Sequence, residues 1–287
     1  MIRLGETRPF VRLALFACAL ALVAAGAALA GKASGIDSAE GDSDAEAAHD
    51  GDDSAAGAYG LSDTASGFRL RIEPASLAAR KPSRLALTIV DDGGDPVTDL
   101  RGEEGEPPLH LILVRRDLTG YRHLHPRPTG DGFVVDVTLP QPGAWRAYAD
   151  FEVDGEKVVL GRDLLVPGEF IPQAPAALTR SAAVDGYRVE LGDEVLRAGR
   201  EATLTFGISR DGRPIESLQP YLGAAGHLVA IREDDLAYLH VHPLDEVLPG
   251  EVGFDVELDQ PGRYALYLQF KHEGRVRTAR LTVEVVR

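Results

Sequence analysis

The chain has 287 residues, 44% apolar and 26% charged, with a formal net charge of −15. That length accommodates two ordinary domains, and the acidic balance excludes the basic footprint of a nucleic-acid-binding surface. Cys18 and Met1 are the sole cysteine and methionine, so nothing beyond residue 18 can form a disulfide or offer a soft sulfur ligand.

Residues 1–30 read as a signal peptide or membrane anchor. Arg3, Arg8 and Arg12 precede an apolar run from Leu13 to Ala30, and Ala28-Leu29-Ala30 has the small-x-small form of a cleavage site. Three fates are consistent with this segment: a cleaved signal, a retained anchor near the minimum spanning length, or lipidation at Cys18. Each places the remainder outside the cytoplasm. Residues 31–66 combine Ala, Gly, Ser and nine acidic residues with almost no large apolar side chains. Such a segment buries too little surface to offset its ordering entropy and is expected to be a disordered acidic linker.

From residue 67 onward the chain repeats itself. Phe68-Arg-Leu70-Arg-Ile72 alternates apolar and charged residues as a half-buried strand does, and Tyr187-Arg-Val189-Glu-Leu191 does the same. Leu85, Leu87 and Ile89 correspond to Leu204, Phe206 and Ile208, and Gln141-Pro142-Gly143-Ala-Trp145 corresponds to Gln260-Pro261-Gly262-Arg-Tyr264. The period, about 117–119 residues, is far longer than a solenoid unit and is that of a duplicated domain. Each copy carries about seven short strand signals broken by Gly, Pro and Asp turns, the pattern of an antiparallel sandwich. The predicted fold class is therefore all-β: two tandem immunoglobulin-like β-sandwiches, over 67–167 and 179–287. A stiff, Pro-rich linker is expected over 168–178. In the stretch that leads into each late strand, Tyr148 and Tyr267 are candidates for a tyrosine whose hydroxyl ties back to the backbone of its own sandwich.

The most specific repeated feature is His110, twelve residues, then His123-Leu-His125-Pro126, which recurs as His227, twelve residues, then His240-Val-His242-Pro243. Six of the eight histidines lie in these two stretches. In a strand, residues two apart share a face, so each His-x-His pair can converge on one ion. If the hairpin pairs His110 with His125 and Ile112 with His123, the third ring joins them, whereas a one-residue slip would send it to the other face. The same register in the second copy would pair His227 with His242. Three imidazoles with an open position suit Zn²⁺ or Cu²⁺. Acids of the hairpin turns, Asp117 in one copy and Glu233, Asp234 and Asp235 in the other, are candidates to orient them.

These motifs carry a resemblance. Gly226-His227-Leu228 running into Leu236-Ala-Tyr238-Leu-His240-Val-His242-Pro243 is similar to a group of bacterial secreted or membrane-tethered β-sandwich proteins. Their mark is a Gly-His-Leu hairpin leading to His-x-His-Pro. The first copy departs from the mark, with Leu109 before His110. A more distant similarity is to periplasmic copper-resistance proteins, although their N-terminal His and Met-rich segments are missing here. The resemblance implies an immunoglobulin-like sandwich, an envelope location and a link to metal handling. The expectation is an exported, non-enzymatic protein that binds a copper or zinc ion at His110, His123 and His125 and a second at His227, His240 and His242. The alternative is an envelope protein-interaction module whose histidines are structural. Neither reading involves nucleic acid, and membrane contact is expected only through the N-terminal segment.

Overall fold

The computed structural model describes residues 59–102, 106–239, 241–244 and 247–287, so the signal or anchor segment and the linker up to residue 58 lie outside the described residues. Among the described residues there is no helix, and hence none long and apolar enough to cross a membrane.

The first repeat contains β1 (Thr64–Ala65), β2 (Phe68–Glu73), β3 (Ser83–Val90), β4 (Leu109–Arg115), β5 (Tyr121–Leu124), β6 (Arg127–Pro128), β7 (Phe133–Val137), β8 (Gly143–Val153) and β9 (Glu156–Val166). The second contains β10 (Ser181–Val184), β11 (Tyr187–Leu191), β12 (Glu201–Arg210), β13 (Arg213–Pro214), β14 (Gly226–Arg232), β15 (Tyr238–Leu239), β16 (Val241–Pro243), β17 (Glu251–Glu257), β18 (Gly262–His272) and β19 (Arg275–Val285). All strand pairs are antiparallel. Each repeat is a two-sheet sandwich: β1-β2-β3-β7-β6 faces β5-β4-β8-β9, and β10-β11-β12-β17-β16 faces β15-β14-β18-β19. This is the immunoglobulin-like arrangement expected from the strand spacing.

The pleat decides what each sheet buries. Along β4, Leu109, Leu111 and Leu113 enter the first core with Leu85, Leu87, Phe133 and Trp145. Along β18, Tyr264, Leu266, Leu268 and Phe270 do the same in the second. The aromatic that follows Gln-Pro-Gly makes the local tie in both: Trp145 Nε1 donates to the Gln141 carbonyl at 3.1 Å and Tyr264 OH to the Gln260 carbonyl at 2.7 Å.

The opposite faces of these two sheets do not meet solvent; they meet each other. Ile112, Val114, Tyr148 and Val159 of the first repeat and Val229, Ile231, Tyr238, Ala265 and Tyr267 of the second form a third buried cluster. The molecule thus has four sheet layers and a seam between the two inner ones. Tyr148 and Tyr267 lie in that seam, and here the sequence expectation needs correction. Tyr148 OH donates to the Leu236 carbonyl at 2.6 Å and Tyr267 OH to the Leu118 carbonyl at 2.9 Å, each in the other repeat. The two acceptors occupy matching hairpin turns, at φ of 59° for Leu118 and 67° for Leu236. The contact is reciprocal, as in an isologous dimer, although both halves belong to one chain.

One further expectation changes. Residues 59–66, assigned to the disordered linker, are part of the fold. Tyr238 N donates to the Tyr59 carbonyl at 2.9 Å, Arg146 to the Gly60 carbonyl at 2.7 Å and Gly161 N to the Ser62 carbonyl at 2.7 Å. Ala65 joins the first core, and backbone hydrogen bonds, the Tyr59–Asp259 hydrogen bond and the Arg162–Asp63 ion pair hold the rest of the strap. It runs so close to β9 that a Cβ on Gly161 would overlap the Gly60 carbonyl oxygen. Gly161→Ala is therefore expected to cost about 1–3 kcal/mol, by analogy with overpacking in a close-packed interior, read as a shift in urea midpoint; an unchanged midpoint would show that the strap is not docked as described. The Pro-rich linker, expected to be stiff, also makes contacts of its own: the Arg115 guanidinium lies 5.4 Å from the Phe170 ring centroid, and Gln173 N donates to Asp117 at 3.2 Å.

A histidine cluster in the seam between repeats

The register of the first hairpin is set by β4 pairing with β5, Leu111 opposite Leu124 and Ile112 opposite His123. His110, Ile112 and Val114 share the seam face of β4, and His123 shares the seam face of β5. The register that unites the three rings of the first copy is therefore the one adopted. One ligand atom from each of His110, His123 and His125 lies within 4.8 Å of the others. His110 is buried and the other two are half-buried.

The second copy does not repeat this arrangement. β14 pairs with β15 in the matching register, Ala230 opposite Leu239 and Ile231 opposite Tyr238. The strand then changes sheets. Val241 already pairs with Val256 of β17, and His242 stands opposite Asp255. In the first copy the chain stays with β4 through Leu124 and joins β7 only at Arg127. The earlier crossing carries His242 onto the outer sheet, where it is exposed. His240 lies outside the described residues. The expected site of one ion per repeat is therefore not what the described residues assemble.

His227 joins the first-copy cluster instead. Its ring stacks on His123, with centroids 4.6 Å apart and planes at 29°, and lies 5.4 Å from the His110 ring. The pairs within the first copy are similarly spaced: His110–His123 at 5.0 Å, His110–His125 at 5.2 Å and His123–His125 at 4.8 Å. The cluster spans the seam.

The hydrogen bonds define proton positions. Gln269 of β18 donates through Nε2 to Thr278 Oγ1 at 3.2 Å, which turns its Oε1 toward His123. His123 Nδ1 lies 2.6 Å from that oxygen and must carry the proton. Its Nε2, 3.1 Å from His110 Nδ1, then presents a lone pair into the cluster. His110 Nε2 faces a Glu106 carboxylate oxygen at 3.8 Å. An imidazole with one nitrogen held by an amide oxygen and the other turned inward, as in His123, is the usual preparation of a metal ligand. His125 Nε2 is buried and has no hydrogen-bond partner. Burial, with a lesser contribution from neighbouring His110, lowers the His123 pKa to about 3, and burial lowers that of His125 as well. The His123 ring is thus neutral at physiological pH, the form that coordinates metals. A cleft of about 60 Å³ opens beside the rings, with Glu106, His110, Asp150, Gly226 and His227 in its walls.

The turn acids have a different task from the one expected. Asp117 chelates the Arg115 guanidinium at 2.6 and 2.8 Å, Asp235 binds Arg232 at 2.6 and 2.9 Å, and Glu233 pairs with Arg263 at 2.7 Å. They close the hairpin turns, at the far end of β4 and β14 from His110 and His227. Gln269 occupies the orienting role in their place. Strand alternation from Tyr267 would have put Gln269 on the seam face, but the choice of His123 as its partner depends on docking between repeats.

The fold and the seam define a class: a duplicated antiparallel β-sandwich packed upon itself, with an imidazole cluster at the internal join. The chain belongs to the family described as Domain of unknown function (DUF8832), which matches residues 63–166 and again 182–287. No curated protein matches it in sequence. Among solved structures it is similar to the Escherichia coli adhesin FdeC, at 14% identity and a TM-score of 0.26, over 78% of this chain and 65% of that one. It is also similar to domains 4 and 5 of the S-layer protein SbsC, at 12% identity and a TM-score of 0.24, over 77% of this chain and 98% of that one. A Salmonella alpha-2-macroglobulin mutant matches at 14% identity and a TM-score of 0.27, over 80% of this chain and 15% of that one. The chain thus spans less than two thirds of the adhesin and macroglobulin chains, and these likenesses are too remote to bear on function.

Proposed function

We propose that this is an exported, non-enzymatic β-sandwich protein that binds one divalent transition-metal ion, Cu²⁺ or Zn²⁺, in the seam between its repeats, for sequestration or delivery. The observation that carries the reading is the convergence of one nitrogen from each of His110, His123 and His125 within 4.8 Å. The donor set fits the group. Neutral imidazoles are ligands for both ions, and the absence of sulfur beyond Cys18 fits a divalent rather than a cuprous site. A buried His125 Nε2 without a partner costs roughly 1–3 kcal/mol as it stands, and an ion supplies what it lacks. Export is supported by the charged-then-apolar N-terminal segment and by a fold without a cysteine.

Calorimetric titration of the purified chain with Cu²⁺ and with Zn²⁺ at pH 7.5 is the test. One saturable site per chain is expected, and His123→Ala should weaken it by at least about 100-fold, since loss of an orienting neighbour alone typically costs 10–100-fold. Absence of saturable binding, or full binding by His123→Ala, would exclude the reading and leave the histidines as packing groups in an envelope interaction module.

A further inference from the structure

We infer that His227 supplies a fourth ligand from the second repeat, so that a single ion is shared by both halves of the chain; this rests on the metal reading above and sharpens it. The spacing of the rings is the first argument. A tetrahedral ion with metal–nitrogen bonds of about 2.0–2.1 Å places the centres of four imidazoles roughly 5 Å apart. Five of the six ring pairs among His110, His123, His125 and His227 have centroid separations between 4.6 and 5.4 Å. That spacing is the one a shared tetrahedral ion requires, and it also lies within the ordinary range of packed rings, so the count of coordinated nitrogens is the decisive quantity.

Backbone construction is the second. His227, the second residue of β14, stands directly opposite Gln269 of β18. The same Gln269 reaches across the seam to hold His123 Nδ1. One residue of the second repeat therefore orients a first-repeat ring while its cross-strand neighbour stacks on that ring. Gly226 makes the approach possible: a Cβ there would come within 2.9 Å of the Gln269 carbonyl oxygen. This gives the Gly-His pair of the second copy a physical reason. The change of sheets at β16 is the third argument. It sets His242 opposite Asp255 on the outer sheet, while the His227 ring lies against His123 and His110 of the other repeat.

The four-imidazole site has a consequence that three ligands on one sheet lack. Metal bound by His110, His123 and His125 alone would stabilise only the first repeat. With His227 included, the ion bridges the seam and fastens the two sandwiches together.

The test uses the full chain loaded with one equivalent of Cu²⁺. Pulsed electron paramagnetic resonance should count four coordinated imidazoles in the wild-type protein and three in His227→Ala, and calorimetry should show Cu²⁺ affinity falling by roughly 10–100-fold in that variant. His227→Gln, closer in size and still polar, serves if the alanine variant does not fold. Three imidazoles in the wild type, with affinity unchanged in either variant, would overturn the inference while leaving the three-histidine site standing. No Cu²⁺ binding by the wild type would remove both.

Discussion

Tyr267→Ala is expected to lower the stability of the chain by about 3–5 kcal/mol, the range for deleting a large buried aromatic, and to split one unfolding transition into two. The Tyr267 ring is buried in the seam, stacked on Tyr121 of the other repeat at 4.3 Å with planes 10° apart, and its hydroxyl is bound to Leu118. Removing it empties the seam rather than either core, since Tyr264, Leu266 and Leu268 on the opposite face are untouched. Each sandwich keeps its own core, so the loss falls on the coupling between them. Tyr267→Phe separates ring from hydroxyl. It leaves the Leu118 carbonyl without its cross-repeat donor and is expected to cost about 1–2 kcal/mol, with a single transition retained. Calorimetric scans of the three proteins decide the matter. If Tyr267→Ala unfolds in one transition at the wild-type temperature, the seam does not couple the repeats.

The largest pH effect is expected in the metal-free protein between pH 6.5 and 4.5. The His123 pKa falls from an ordinary 6.5 to about 3 on folding, because burial disfavours the imidazolium and His110 beside it adds repulsion. The unfolded chain therefore binds a proton in this window that the folded chain does not. Stability is fully present above pH 6.5 and falls as pH drops, by about 1.4 kcal/mol per pH unit for one such group. His125 shifts in the same direction and steepens the fall. For Asp117 and Asp235 burial is the largest single influence and acts upward, but hydrogen bonds from Arg115 and Thr119 in one and from Arg232 and the Ala237 backbone in the other together hold them low; their contribution is lost only below the ordinary aspartate value of 3.8. Urea midpoints measured in chelator at pH 7.5, 6.5, 5.5 and 4.5 should therefore decline, and His123→Gln should flatten the decline. A wild-type profile as flat as that of the variant would mean that the cluster accepts protons without cost.

The strands and the first hairpin were legible because period-two alternation and a His-x-His pair leave few registers that bury Leu111 and Leu113. The seam was legible too, in a form easily passed over. Leu111-Ile-Leu-Val114 and Leu228-Val-Ala-Ile231 are unbroken apolar runs, which mark strands covered on both faces rather than half-exposed ones. What covers them is not written locally, since the partner sheet lies more than a hundred residues away. That is why Tyr148 and Tyr267, sound as candidates for a hydroxyl tie, find their acceptors in the opposite repeat. It is also why His227, read as part of its own copy, belongs with His123. The sheet change at Val241 has no signature in the motif itself, for His240-Val-His242-Pro243 and His123-Leu-His125-Pro126 are nearly the same words.

The strap at residues 59–63 gives the molecule a mechanical character. The Tyr59 carbonyl is bound by Tyr238 in one sandwich while the next residue's carbonyl is bound by Arg146 in the other, so a pull along the polypeptide at this point bears on both at once. Tension is divided between the halves before it reaches the first full strand. The same few hydrogen bonds that hold the strap would act as a load-sharing splice.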